Sequence, residues 1–71
     1  MLTKEEYTYL NGFRPILDLF FNTGEYVGGA DGVFDWHEKK YGQTIDRGCS
    51  GCKAGFLKLT RSLLIKYEEN V

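Results

Sequence analysis

The residues best suited to chemistry lie in one short run, Cys49-Ser50-Gly51-Cys52-Lys53. Two thiols three residues apart at the head of a helix share a turn, where the helix dipole and free N–H groups favour a thiolate. A thiolate attacks disulfides, so one reading is a redox dithiol. The other is zinc, the one cofactor these residues suit. A structural zinc site takes four ligands. The chain offers Cys49, Cys52 and His37, with Asp35 or Asp46 as a fourth, or a homo-oligomer in which two chains share an ion through four thiolates. Against both stands a packing reading, in which Cys49 and Cys52 are small apolar side chains facing the core, since free cysteine is among the most buried residue types.

His37 is the sole histidine and the one side chain suited to proton transfer near neutral pH. Phe34, His37 and Tyr41 share a helix face, so a hydrogen-bonded packing role is the expectation for it, and no catalytic residue is assigned. A second group is the basic set Lys53, Lys58, Arg61 and Lys66, which with Lys39, Lys40 and Arg47 makes the second half cationic. Phosphate contacts need such a surface, which is the nucleic-acid reading. A pI near 5.7 and few Asn or Gln side chains on the last helix weigh against it. A third group is aromatic. Rings supply 15% of the residues, more than a few short helices can bury, and Phe21, Tyr26 and Trp36 are the candidates for a protein-binding patch.

These side chains need elements to position them. Thr3 and Glu6 have the spacing of a capping box, which starts a helix at Lys4. Gly12 and Pro15 interrupt it, yet Phe13, Ile16, Leu17, Phe20 and Phe21 keep the helical period. The run to about Asn22 is therefore either one kinked helix or two short ones, with Gly12 suited to a left-handed cap and Gly24 closing the run. Residues 24–32 hold four glycines and form a loop. The loop lacks the Gly-Lys-Ser/Thr of a phosphate cradle and the ligand spacing of a calcium hand. Asp31 or Asp35 can cap the next helix, Asp35 with Glu38 repeats the capping-box spacing, and Tyr41-Gly42 ends it. The last helix starts from Ser50 as N-cap. Its apolar face reads Cys52, Phe56, Leu59, Leu63 and Tyr67, widened by Leu57 and Leu64.

The expected fold class is thus all-α: one domain over residues 1–71, a small bundle of three to four helices with a glycine-rich loop between residues 24 and 32. The charges are uneven. Residues 1–38 carry two basic against seven acidic side chains, and residues 39–66 carry seven basic against one acidic, inside a net charge of −1. Either the halves pack together and neutralise each other, or the second presents a basic face to an anionic partner. No run reaches the roughly 18 to 20 apolar residues that span a bilayer, so no membrane partner and a cytoplasmic location are expected.

The run Trp36-His37-Glu38-Lys39-Lys40-Tyr41-Gly42, followed by Cys49-Ser50-Gly51-Cys52 opening an amphipathic helix, resembles small uncharacterised proteins encoded by tailed bacteriophages. The resemblance implies a binding protein, such as a virion component, a DNA-packaging accessory or an inhibitor of a host protein, placed in the host cytoplasm or the virion. The leading expectation is therefore a non-enzymatic protein–protein interaction module. A nucleic-acid accessory protein comes second, and a zinc or redox Cys-x-x-Cys protein third.

Overall fold

In the computed structural model, which describes residues 2–70, the first helix, α1 (Lys4–Asn11), opens on a completed capping box. The Glu6 N–H donates to Thr3 Oγ1 at 3.2 Å and the Thr3 N–H donates to Glu6 Oε1 at 2.9 Å. Two N–H groups that a helix start leaves without partners are thereby satisfied.

The run to Gly24 is two helices. The second, α2 (Arg14–Thr23), begins with Pro15 in its first turn, where a missing N–H costs nothing. Gly12 is not the left-handed cap its residue type suggests. It sits at φ −62°, and the break comes from the proline that follows. Gly24 does adopt the left-handed form, at φ 76°, and its N–H closes α2 on the Phe20 carbonyl at 2.7 Å.

The glycine loop then wraps around its own tyrosine. The Ala30 N–H donates to Tyr26 Oη at 2.8 Å, and the Tyr26 ring packs edge-on against Phe34. Gly28 and Gly29 take φ 97° and 93° to make that path.

Helix α3 (Asp31–Tyr41) departs from expectation at its start: its N-cap is Ala30, with no side-chain cap. Asp35 and Glu38 are drawn elsewhere. Both meet the Arg47 guanidinium, and Glu38 Oε2 also accepts the Ile45 N–H at 2.8 Å, which ties the α3–α4 connector down.

Helix α4 (Ser50–Glu69) is the hub on which the other three pack. At a rise of 1.5 Å per residue its 20 residues span about 30 Å, in a flat body of 35 × 30 × 16 Å. Its buried stripe is Leu57, Thr60 and Leu64, with Phe56, Leu63 and Tyr67 half-buried beside it. This rotates the expected face. Leu59 is 44% exposed and Cys52 is exposed, because the helix must meet partners on both sides of Leu57 and Leu64. Leu10, Leu17, Phe20, Val33, Phe34 and Ile45 complete the core from the other elements.

The charge halves neutralise each other in part. Lys40 pairs with Glu6, Arg61 with Asp18, and Arg47 with Asp31, Asp35 and Glu38, while Arg14 of the acidic half pairs with Glu68 near the end of the last helix. Tyr7 adds its hydroxyl to Glu68 at 2.7 Å and stacks on Tyr67 at 4.3 Å, so α1 and α2 both clamp the end of α4. No helix among the described residues is long and apolar enough to cross a membrane.

Three helical glycines give a test with opposite signs. A Cβ at Gly32 would fall 2.5 Å from Phe13 Cζ and 2.7 Å from Tyr9 Oη, whereas Gly51 and Gly55 have nothing within 4 Å. Gly→Ala in an open helix position stabilises by roughly 0.5–1 kcal/mol. Gly51→Ala and Gly55→Ala should each gain about that much in urea denaturation. Gly32→Ala should instead lose about 1–3 kcal/mol to overpacking.

Candidate functional site

Where α2 ends and α4 begins, the two helices leave a cleft of about 780 Å³. Phe20, Phe21 and Tyr26 give it an aromatic side, and Lys53, Ala54 and Lys58 with the Ser50-Gly51 turn give it the other. Each part has a structural cause. Gly24 ends α2 one residue short of Glu25, so the chain turns away and leaves Phe21 43% exposed at the rim. Tyr26 is held by the Ala30 N–H and Phe34, and the Lys53 ammonium lies 5.4 Å from its ring centroid. Phe21 stands edge-on to Phe20 and is covered on one face by the Arg61 guanidinium at 4.3 Å.

Two of the three aromatic candidates therefore share this cleft, and the third does not. Trp36 lies in a separate, shallower hollow with Glu6, Lys39 and Lys40, where the Lys40 ammonium sits 5.4 Å from its ring and 2.6 Å from Glu6. That pairing is the first cause holding the Glu6 carboxyl below its ordinary pKa of 4.5.

The basic set is likewise divided. Lys53 and Lys58 line the cleft. Arg61 is committed to Asp18 at 3.3 Å, and Lys66 borders a different hollow with Leu2, Leu63 and Tyr67. Among the described residues neither Lys53 nor Lys58 is ion-paired, while Arg14, Lys40, Arg47 and Arg61 all are.

His37 is 1% exposed and sits between Trp36, Tyr41 and Phe56. Its Nε2 lies 2.7 Å from Thr60 Oγ1, whose own hydroxyl donates to the Phe56 carbonyl. The hydroxyl proton is thus used, so Nε2 carries the imidazole proton and donates it. Nδ1 is buried with no partner among the described residues. Burial pushes the pKa of His37 below 6.5.

The thiols stand at the start of α4, with one correction to the cap: the N-cap is Cys49, not Ser50. Cys49 Sγ accepts the Cys52 N–H at 3.2 Å, and the two sulfurs face each other 2.6 Å apart. The contact with the Cys52 thiol, then the N–H, pushes the Cys49 thiol below its ordinary 9.0, and the same sulfur contact pushes Cys52 above it. Neither is a core residue: Cys49 is half-buried and Cys52 exposed. Among the described residues no three His, Cys, Asp or Glu side chains converge on a point that could hold a metal ion, so His37 does not join the two thiols.

Glu25 and Ala54 border the cleft without having been singled out in the sequence. Periodicity marks which face of a helix is apolar but not where two helices diverge, so the hollow between α2 and α4 left no sequence signal. No family model, curated protein or solved structure matches the chain.

Proposed function

We propose that the chain is a docking module that holds an acidic, partly apolar segment of another protein in the cleft between α2 and α4. The observation that carries this reading is the joint presence of an aromatic side and two lysines without an ion pair among the described residues in one hollow, on a molecule whose arginines are already neutralised. Aromatic rings supply contact area at low entropic cost, and unpaired cations select the sign of the partner. The Ser50-Gly51 turn adds the positive end of the α4 dipole to the same side. Glu25 at the rim opposes a purely electrostatic ligand and favours one that also offers apolar side chains.

The basic set as a nucleic-acid surface has less support. Its four members are spread over the cleft, the Asp18 pair and the Lys66 hollow rather than forming one stripe.

The test is an amide-resonance titration with a synthetic peptide of alternating acidic and aromatic residues. Shifts should cluster at Phe21, Tyr26, Lys53 and Lys58. Lys53→Glu with Lys58→Glu should weaken binding by about ten-fold or more, as reversing two complementary charges does. Shifts centred on Trp36 and Lys40 would move the site elsewhere. Unchanged affinity in the double variant would sink the charge argument, and stronger binding of random duplex DNA than of the peptide would favour the nucleic-acid reading.

A further inference from the structure

We propose that Cys49 and Cys52 form a thiol–disulfide exchange centre for low-molecular-weight disulfides, in which Cys49 attacks and Cys52 resolves. The cleft reading does not require this, and it rests on separate atoms. Three observations carry it. First, the hydrogen bond whose direction is fixed by the backbone runs to Cys49: the Cys52 N–H donates to Cys49 Sγ at 3.2 Å. An N–H aimed at that sulfur at the start of a helix stabilises negative charge there, which marks Cys49 as the nucleophile. Second, the two sulfurs face each other across one helical turn, 2.6 Å apart, so the backbone already brings them within reach of a disulfide. Third, Cys52 is exposed and Cys49 half-buried, so a small disulfide can reach them.

Lys53 follows the pair, but its ammonium is engaged over the Tyr26 ring. Asp46, whose carboxylate accepts the Gly48 N–H, is the charge that opposes a thiolate here. The support for Cys49 therefore comes from the N–H donor at the α4 start.

The chemistry closes on itself. The Cys49 thiolate attacks one sulfur of the external disulfide. A Cys49–S–S–R bond forms, the R–S–S–R bond breaks, and the first thiolate leaves and takes up a proton. Cys52 releases its proton to water and attacks Cys49 Sγ, forming the Cys49–Cys52 disulfide and expelling the second thiolate. Two electrons pass from the protein dithiol to the external disulfide, which is reduced to two thiols.

The experiment uses the full chain and two variants, Cys49→Ser and Cys52→Ser, each incubated with oxidised glutathione and followed by intact mass. Serine at position 49 keeps an N-cap acceptor and position 52 is exposed, so both variants should retain the helical circular dichroism of the parent. The parent should lose two hydrogens with no lasting adduct. Cys52→Ser should accumulate a mixed disulfide with one glutathione, and Cys49→Ser should react about ten-fold more slowly. A parent that keeps a glutathione adduct shows that Cys52 does not resolve, and equal rates in the two variants show that Cys49 is not the nucleophile; either result overturns the assignment.

Discussion

Phe34→Ala should remove a large share of the molecule's stability. The Phe34 ring is 1% exposed, meets Tyr26 edge-on at 5.9 Å and carries the Arg47 guanidinium over its face at 5.7 Å. It joins α3, the glycine loop and the connector in one contact. Removing a buried phenyl group costs about 3–5 kcal/mol through lost transfer energy and the cavity left behind. A 71-residue chain has about 4–11 kcal/mol of stability in total at 0.05–0.15 kcal/mol per residue. The variant should therefore show an early, shallow urea transition and weakened near-ultraviolet dichroism. Because Tyr26 leans on Phe34, the cleft should lose one side in the fraction that stays folded. Leu63→Ala is the matching control. Leu63 is half-buried, so its truncation should cost only about 1 kcal/mol, and a loss as large as that of Phe34 would mean that α4 is rotated from the orientation described.

That control also marks where the sequence could be read and where it could not. Thr3 with Glu6, Gly24 and Gly42 placed helix ends correctly because capping is local: the partners lie within one turn of each other. The phase of α4 was legible only within a residue. Leu57, Leu59, Leu63 and Leu64 all suit an apolar face, and whether the helix turns Leu59 or Thr60 inward is decided by what packs on it. Here the answer is His37, whose Nε2–H needs an acceptor and finds Thr60. A polar pair at the centre of an apolar face cannot be seen as hydrophobic periodicity. Asp35 and Glu38 failed as caps for a related reason, since an arginine nine residues beyond Glu38 competes for them with a stronger, charge-assisted bond. As for the site, Phe21, Tyr26, Lys53 and Lys58 were each recognisable by type, but their grouping follows from the packing of α2 and the loop beside the start of α4, and Trp36, on α3, lies in a different hollow.

The His37–Thr60 pair predicts a pH dependence with a definite sign. Native His37 is neutral, with its proton on Nε2 donated to Thr60 and a bare Nδ1 that has no partner among the described residues. Protonation would add a buried N–H with nothing to receive it. The surrounding rings of Trp36, Tyr41 and Phe56 offer some cation–π attraction, about 0.5–2 kcal/mol. Burying a charged imidazole beside an unmet donor costs more than that, so burial wins and the pKa lies below 6.5. As pH falls through 6.5 the unfolded chain takes up a proton that the native chain refuses. Stability is then fully present above 6.5, declines below it, and levels off once the pH passes the native value. The carboxyl groups of Glu6, Glu38 and Glu68, all held below 4.5 by their hydrogen-bond partners, act in a lower window. The stability they contribute is present above 4.5 and lost as pH falls through their native values. Between about pH 6.5 and 5 the slope should thus belong to His37, the single histidine of the chain. Urea midpoints across that range should fall for the parent and stay flat for His37→Gln, whose amide can still donate to Thr60. Thr60→Val, which strands the buried Nε2–H, should cost about 1–3 kcal/mol even at neutral pH. A parent as stable at the bottom of that window as at the top would show that His37 charges freely in the native state.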